Sequence, residues 1–437
     1  MVGFPSAARA VPAILDIDLG SQEGAALLAA TAAAHGGLLL PAAHGLDRVF
    51  LLRSPWAPGL RFAGGQAVYD GGPDALCDRR SFSLSGPSET MEGALASVIG
   101  EGVEVLSQAE RAGDVVRVGS LAATAGEVLA SCGTFFAGHP GALDPATSID
   151  WIGARLLGGP RLHGGSGDVL VPADWSLRRA PARTRILPPW GLGNGVAAGP
   201  DHEWAASRAL LELIERDAVA LWWRGGRRGR PISPQDPAMA EAVRLISLLR
   251  QDQTARPCWL LDVTTDIGVP CVVAASCDAD GRGLAFGFGA RLTLAAAVRA
   301  ALLENAQMEL SLMLARAKQA AGDVSSATLT DAEARLLDLA NTVNAATCEL
   351  LYPAGLPRNH PRPADGEHVG QLASALEAAG IEAALIDLTR PEFAIPVVRA
   401  VAPQLQPMPS PTVTDRLRAA AAESGGADRF TAGSRLF

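Results

Sequence analysis

Apolar positions along this chain follow two periods. Short runs that are continuous, or alternate every second residue, predict strands at Ala13–Ile17, Arg48–Leu52, Arg80–Ser85, Ala383–Leu388 and Ile395–Val401. The span from Ile149 to Asp174 reads as two strands joined by the turn Gly164-Gly165-Ser166-Gly167. Longer apolar stretches predict helices within Gly24–Leu40, after Gly86-Pro87-Ser88, after Gly199 and after Ala290, and again over Ala332–Val343 and Val369–Ala379. Pro- and Gly-rich clusters at 70–80, 188–195 and 353–363, and a polar stretch at 319–331, punctuate these elements. The pattern is that of an α/β (α+β) protein. Its expected parts are an N-terminal α/β segment (residues 1–75), a main domain (76–411) and a polar, mobile tail (412–437).

Three helices carry carboxylates among residues that otherwise read as core. They contain Ser97-Val98-Ile99-Gly100-Glu101-Gly102-Val103-Glu104, Glu212-Leu213-Ile214-Glu215-Arg216 and Glu304-Asn305-Ala306-Gln307. Residues three apart share a helix face, so each stretch presents two oxygen-bearing side chains side by side. Buried carboxylates cost several kcal/mol unless they are paired, hydrogen-bonded or bound to a cation. A salt-bridged helix face accounts for any one pair taken alone, with Arg216 neutralising Glu212 or Glu215. Recurrence in three helices points to one shared polyanionic site, most simply one that holds Mg²⁺ through oxygen ligands.

A strand and a Gly-rich turn precede each of these helices, at 80–88, 186–199 and 284–290. Three such units predict a pseudo-symmetric domain with its site at the helix N-terminal ends, where backbone N–H groups favour anions. Gly287-Phe288-Gly289 lacks the remainder of a dinucleotide fingerprint, so a Rossmann reading is rejected.

Composition narrows the chemistry. The chain has 437 residues, 48% hydrophobic and 19% charged, which is ordinary globular composition. A net charge of -9 argues against non-specific binding to nucleic acid or an anionic membrane. Lys318 is the single lysine, which excludes a Walker-type phosphate loop. Cys77, Cys132, Cys258, Cys271, Cys277 and Cys348 form no C-x-x-C pair, so no zinc site is expected, and reduced thiols in a cytoplasmic setting are. The Ala-rich stretch before residue 40 is too broken by His35 and Gly36-Gly37 to span a bilayer. The histidines (His35, His44, His139, His163, His202, His360, His368) are scattered and offer no catalytic pairing.

Taken in order, these segments resemble the YcaO family, ATP-dependent enzymes that activate peptide-backbone amides. The resemblance runs from about Gly45 to about Pro403 and is strongest over Asn194-Gly195-Val196-Ala197-Ala198-Gly199 and the helix Ala209–Ala218. Asp262–Pro270, Asp387-Leu388-Thr389-Arg390 and Ile395–Arg399 add to it. It implies ATP and Mg²⁺ as cofactors, held by Ser97, Glu101, Glu104, Glu212, Glu215, Arg216, Glu304 and Gln307. By the same match Glu101, Glu104, Glu212 and Glu215 would ligate the metal, while Arg216 and Glu215 would act in catalysis. Similar enzymes cyclise Cys, Ser or Thr of a ribosomally made precursor peptide to an azoline, with ATP phosphorylating the oxyanion formed when the side chain attacks the preceding carbonyl. Other relatives replace the carbonyl oxygen with sulfide to give a thioamide, and a non-catalytic scaffold or peptide-binding subunit of the same fold is a third reading. The resemblance further implies a leader-peptide-recognising partner, ThiF/E1-like or TfuA-like, within a homo- or hetero-oligomer. Pro407-Met408-Pro409-Ser410-Pro411 is read as a loop.

Overall fold

The computed structural model describes residues 14–19, 21–34, 42–43, 45–69, 76–124, 126–138, 144–158, 168–254, 256–321, 329–360 and 369–426. The glycine turn expected at 164–167 lies outside them, as do most of the loop expected at 70–80, parts of those at 319–331 and 353–363, and the last residues of the tail.

Strands form three sheets. The first has β1 (Ile14–Ile17), β2 (Leu46–Leu52), β3 (Arg61–Tyr69) and β4 (Arg80–Ser88) side by side in that order. The second, in the order β5-β6-β12-β13-β8, contains β5 (Arg117–Ser120), β6 (Ser148–Leu156), β8 (Val196–Ala198), β12 (Ala384–Asp387) and β13 (Val397–Val401), with β7 (Asp168–Pro172) also paired to β6. The third runs β11 (Ala285–Ala290), β10 (Cys271–Ser276), β9 (Cys258–Asp262). The ladders joining these strands are antiparallel.

The helices are α1 (Gln22–Ala34), α2 (Met91–Ser107), α3 (Ala130–Gly138), α4 (His202–Trp223), α5 (Pro237–Arg250), α6 (Leu294–Ala321), α7 (Asp331–Thr342), α8 (Val369–Ala378) and α9 (Asp415–Ser424). Each sheet is backed by one Glu-bearing helix: α2 on β3 and β4, α4 on β8 and β13, and α6 on β10 and β11. In all three units the strand just before the helix is the edge of its sheet. An edge strand presents a row of backbone N–H groups that no neighbouring strand satisfies.

Local chemistry sets the helix starts. The Thr90 hydroxyl accepts from the Gly93 N–H at 3.1 Å to cap α2, and the Asp201 carboxylate accepts from the Trp204 N–H at 2.7 Å to cap α4. Helix α4 is fixed at its far end by Trp222 and Trp223, whose ring centroids both lie 5.7 Å from that of Phe286 on β11. Burying a side chain such as Phe286 contributes roughly 1.5–3 kcal/mol, so this cluster ties the second unit firmly to the third.

The structure differs from the sequence expectations in four places. The turn expected at Gly86-Pro87-Ser88 is instead the end of β4, where Pro87 pairs with Phe62. Proline is tolerated there because β4 is an edge strand and no outer neighbour needs its missing N–H. Gly287 and Gly289, read as a tight turn, lie inside β11. A Cβ at Gly287 would stand 2.1 Å from both the Ala301 carbonyl oxygen and the Asn305 nitrogen, so glycine here allows strand and helix backbones to touch. Strands on either side of residue 75 share one sheet, since β3 and β4 pair along their full length. Finally, the expected mobile tail includes α9, whose Leu417 and Ala420 pack on Leu221 while Arg416 meets Asp217 at 2.8 Å and Asp266 at 2.7 Å.

The glycine contacts carry a stability prediction. Gly287→Ala is expected to destabilise the protein by roughly 1–3 kcal/mol through overpacking. Gly133→Ala, inside α3 with nothing within 4 Å of the added Cβ, is expected to raise stability by about 0.5–1 kcal/mol. Denaturant melts of both variants decide it, and equal midpoints would contradict the packing account.

Candidate functional site

The carboxylates of α2, α4 and α6 meet the edge strands in a cyclic pattern. On each helix the first acid accepts from its own preceding strand or turn: Glu101 from Ser85 N–H at 2.6 Å, Glu212 from Gly195 N–H at 3.0 Å and Glu304 from Phe288 N–H at 2.6 Å. The residue one turn later reaches the next unit. Glu104 of α2 accepts from Ala198 N–H of β8 at 2.8 Å, and Glu215 of α4 accepts from Ala290 N–H of β11 at 3.0 Å. Gln307 of α6 closes the ring by donating to the Ser85 hydroxyl of β4 at 2.8 Å. Three helices and three edge strands therefore surround one centre, and the pseudo-symmetry expected from sequence is a ring of alternating links.

The acids sit near the middle of their helices, which corrects the expectation of a site at the helix N-terminal ends. Glycine explains the position. At Gly86 an added Cβ would come 2.4 Å from the Ala94 carbonyl oxygen, so only glycine lets β4 lie along the body of α2. Gly195 adopts φ +73°, where an added Cβ would also stand 2.7 Å from Leu213. The N–H it turns inward is the one that Glu212 accepts.

Burial raises the proton affinity of Glu101, Glu104, Glu212 and Glu304. It pushes Glu101 up to about 7, with the Ser85 N–H opposing and Glu212 adding to the shift. Glu304 also rises to about 7 through burial and then the charge of Glu215. Glu104 is pushed well above the carboxylate range by burial, against the Ala198 N–H, and Glu212 rises through burial against the attraction of Arg216. Arg216 lies 3.4 Å from Glu212 and 3.5 Å from Glu215. Burial alone would lower its pKa, but Glu215, Glu212 and Glu304 outweigh that and hold it charged.

Of the residues singled out from sequence, Glu101, Glu104, Glu212, Glu215, Arg216, Glu304 and Gln307 are brought together. Ser97 is exposed on the same face of α2, and its hydroxyl donates back to the Gly93 carbonyl at 2.9 Å. Two further arginines were not singled out as site residues, although Arg399 ends the Ile395–Arg399 segment that carries part of the resemblance. Arg399 on β13 is fully buried, its Nη1 donates to the Leu192 carbonyl at 2.6 Å, and its Nε and Nη2 have no hydrogen-bond partner among the described residues. Burial, then the nearby Arg178, lowers its pKa to about 9, with Glu212 opposing. Arg178, stacked 4.8 Å from the Phe82 ring centroid, is lowered to about 10 by burial and by Arg80. Arg399 sits in an alternating strand pattern that does not reveal its burial.

Beside Arg216 lies a cleft of about 290 Å³, lined by Trp190, Asn194, Leu213, Leu405 and Pro407 among others. The run Pro407–Pro411 is irregular, as expected, and forms part of this wall. The Asn194 side chain donates to the Met408 carbonyl at 3.0 Å, and Arg224 donates to the Ser410 carbonyl at 2.7 Å. His202 Nε2 stands 3.2 Å from Asp387 and 3.3 Å from the Thr389 hydroxyl, but both meet the same ring nitrogen, so no proton relay results. The side chain of His360 is buried against Asp262 at 2.9 Å.

The donor set fits a magnesium–polyphosphate group. Glu101 Oε1, Glu104 Oε2 and Glu304 Oε1 have no hydrogen-bond partner among the described residues, and Arg399 offers two buried N–H-bearing nitrogens in the same state. Among the described residues no group of three or more His, Cys, Asp or Glu side chains is placed to hold a metal ion by itself, so a Mg²⁺ here would take most of its ligands from phosphate oxygens and water. All six cysteines are unbridged.

Carboxylates and buried arginines thus converge where three sheet–helix units meet. The chain belongs to the YcaO family: the family model described as YcaO cyclodehydratase, ATP- and Mg²⁺-binding, matches residues 85–406. A Rhizobium leguminosarum bv. trifolii protein, described as an uncharacterized protein in the tfuA 3′ region, is 28% identical over 223 residues, covering 49% of this chain and 52% of the relative. The chain thus spans about half the length of that curated relative. A heterocyclase solved with substrate and cofactor superposes with TM-score 0.66 at 20% identity, over 91% of this chain and 55% of that one. YcaO from Methanopyrus kandleri, solved with AMPPCP and Mg²⁺, superposes with TM-score 0.58 at 20% identity, over 86% of this chain and 91% of that one. Among the described residues no helix is long and apolar enough to cross a membrane.

The raised carboxylates carry a pH prediction for the protein without nucleotide. Glu101 and Glu304 move from an ordinary 4.5 to about 7, so between those values the native state keeps protons that the unfolded chain has released. Stability is therefore expected to fall as pH climbs through that window and to level off above it. Thermal melts across the window should show a shallower fall for Glu101→Gln/Glu304→Gln than for the wild type. Parallel pH profiles would contradict the account.

Proposed function

We propose that this chain activates a backbone amide of a ribosomally made precursor peptide by ATP-dependent phosphorylation, so that Cys, Ser or Thr closes to an azoline. The observation that carries this reading is the pairing of five half-buried or buried carboxylates (Glu101, Glu104, Glu212, Glu215, Glu304) with the fully buried, partly unsatisfied Arg399. Ion pairs fixed for stability alone would satisfy that guanidinium.

Bound Mg²⁺ would supply charge neutralisation and orientation for the transferring phosphoryl group. Glu101, Glu104, Glu212 and Glu215 would hold it, with Ser97, Glu304 and Gln307 completing the nucleotide site. Arg216 and Arg399 would place positive charge beside the phosphates, and Glu215 would keep Arg216 in position. In the reaction the peptide's Sγ or Oγ bonds to the preceding carbonyl carbon and releases its proton. The resulting oxyanion takes the γ-phosphoryl group of ATP and ADP leaves. The amide nitrogen then loses its proton and expels phosphate as the C=N bond forms. Catalysis of this kind rests on positioning and charge and needs no covalent enzyme intermediate.

A leader-recognising partner protein of TfuA-like or ThiF/E1-like type belongs to the same reading. The genomic description of the Rhizobium relative, beside tfuA, supports the first of these.

Calorimetric titration of Mg-ATP into the wild type and into Glu212→Gln/Glu215→Gln tests the site: binding should be lost in the double variant, and equal affinity would sink the assignment. With peptide and partner added, loss of one water per ring in the peptide mass supports the azoline, exchange of oxygen for sulfur supports the thioamide instead, and no mass change with ATP bound supports a scaffold.

Arg399→Met separates stability from function. Removing a buried, under-satisfied cation should raise the melting temperature of the nucleotide-free protein while weakening Mg-ATP binding. A drop in both would show that Arg399 is structural.

A further inference from the structure

A second concave site lies beyond the carboxylate ring, at the C-terminal end of α4. Four arginines, Arg227, Arg228, Arg230 and Arg358, line a shallow surface cleft together with Asp262 and Trp222. On a chain of net charge -9 this is a local concentration of positive charge. Its one lining acid is already committed: Asp262 holds His360 at 2.9 Å and accepts from the Thr264 N–H at 2.9 Å. The acids flanking the cleft are engaged too. Asp266 pairs with Arg416 at 2.7 Å, and the exposed Glu349 meets Arg228 at 3.2 Å.

Two of the arginines build the site and two remain available. Arg358 donates to the Thr264 and Thr265 carbonyls at 3.1 and 3.2 Å, while its Nε is buried without a partner among the described residues. Arg228 also donates to the Tyr352 carbonyl at 3.0 Å, fixing the loop opposite. The backbone of Arg230 is paired with that of Asp262 at 2.8 and 2.9 Å, so its exposed side chain projects from a rigid base. Arg227 is held by no hydrogen bond of its side chain among the described residues.

The rim is not purely ionic. Tyr352 is 49% exposed and Leu356 79%, on a loop tied to the arginine segment by the Ala354 N–H donating to the Gly229 carbonyl at 2.8 Å. Guanidinium forks match carboxylates bidentately, and neighbouring exposed apolar side chains give a peptide something to pack against. The position along α4 is also suitable. Trp222 follows Glu215 by about two turns, on the order of 10 Å, a distance that about three extended residues cover.

We propose that this cleft docks an acidic, partly apolar segment of the peptide substrate, seating its carboxylates between Arg227 and Arg230 and its apolar side chains on Tyr352 and Leu356. The identity of the ligand as substrate rests on the peptide-modifying reading above; the carboxylate chemistry of the cleft does not.

Fluorescence anisotropy with a fluorescein-labelled peptide of alternating glutamate and leucine tests it, against the same peptide with glutamine for glutamate. The wild type should bind the glutamate peptide, and Arg227→Glu/Arg230→Glu should weaken that binding by at least about tenfold. Arg227→Lys/Arg230→Lys should fall between them. Unchanged affinity in the charge-reversal variant, or equal binding of the glutamine peptide, overturns the proposal. Tighter and equally Arg227-sensitive binding of a single-stranded oligonucleotide overturns the peptide assignment in favour of phosphate. Mg-ATP titration on the same samples keeps the two readings apart: intact nucleotide binding in the variant shows the fold is sound. Peptide binding without nucleotide binding in the wild type leaves the cleft standing while the proposed reaction falls.

Discussion

The interaction on which the rest of the molecule depends is the hydrogen bond from an edge-strand N–H to a helix carboxylate. A sheet edge carries donors that water or another strand must satisfy, and a buried carboxylate needs donors to offset its desolvation. Here each problem solves the other. Glu101, Glu212 and Glu304 bind the strand or turn leading into their own helix, while Glu104 and Glu215 bind the edge of the next sheet. The three sheets are thereby locked around one centre, and the acids are gathered there. Removing one acid would expose a strand edge as well as a charge, so site and architecture are not separable at these positions.

The same geometry keeps the centre electrostatically tense. Burial raises Glu101, Glu104, Glu212 and Glu304, while it lowers Arg399 and Arg178. Both signs of charge are thus disfavoured by desolvation and incompletely paired with each other. A protein selected for stability alone would place apolar residues at several of these positions, since a well-packed apolar replacement of a buried charge pair is often neutral or stabilising. A group bearing both metal and phosphate charge relieves both sides at once. Arg416, by contrast, is fully used by Asp217 and Asp266 and shows what a structural pair in this protein looks like.

Helical periodicity made the acids legible. Glu101/Glu104 and Glu212/Glu215 fall on common faces by their spacing alone, and their apolar flanks announce burial. The glycines beside them were legible as punctuation but not as packing: Gly86 and Gly287 read as turns because a close approach between a strand and a helix leaves no local signature. Arg399 was hidden for a related reason. Its strand, Val397-Val398-Arg399-Ala400-Val401, reads as alternation with one polar residue pointing outward, and only the arrival of α4 and the loop at Leu192 encloses it. The helix in the supposed tail was missed because its polar residues outnumber Leu417 and Ala420, which do the packing. What failed to show was in each case a contact between one element and another that packs on it.

The ring is not a perfect repeat, and its irregular link is informative. Two of its inter-unit links join a carboxylate to a backbone N–H, but the third joins the neutral Gln307 to the Ser85 hydroxyl. A sixth acid at Gln307 would add a further negative charge beside β4, with only the Ser85 hydroxyl left to donate to it, since the Ser85 N–H is already taken by Glu101. The amide keeps the mechanical link through its donor group and leaves its charge at zero. Negative charge is consequently concentrated along α2 and α4, where the acids are paired on one face, and thins out toward the C-terminal half of α6. The asymmetry of one amide among five carboxylates is what gives a nearly threefold scaffold a single direction.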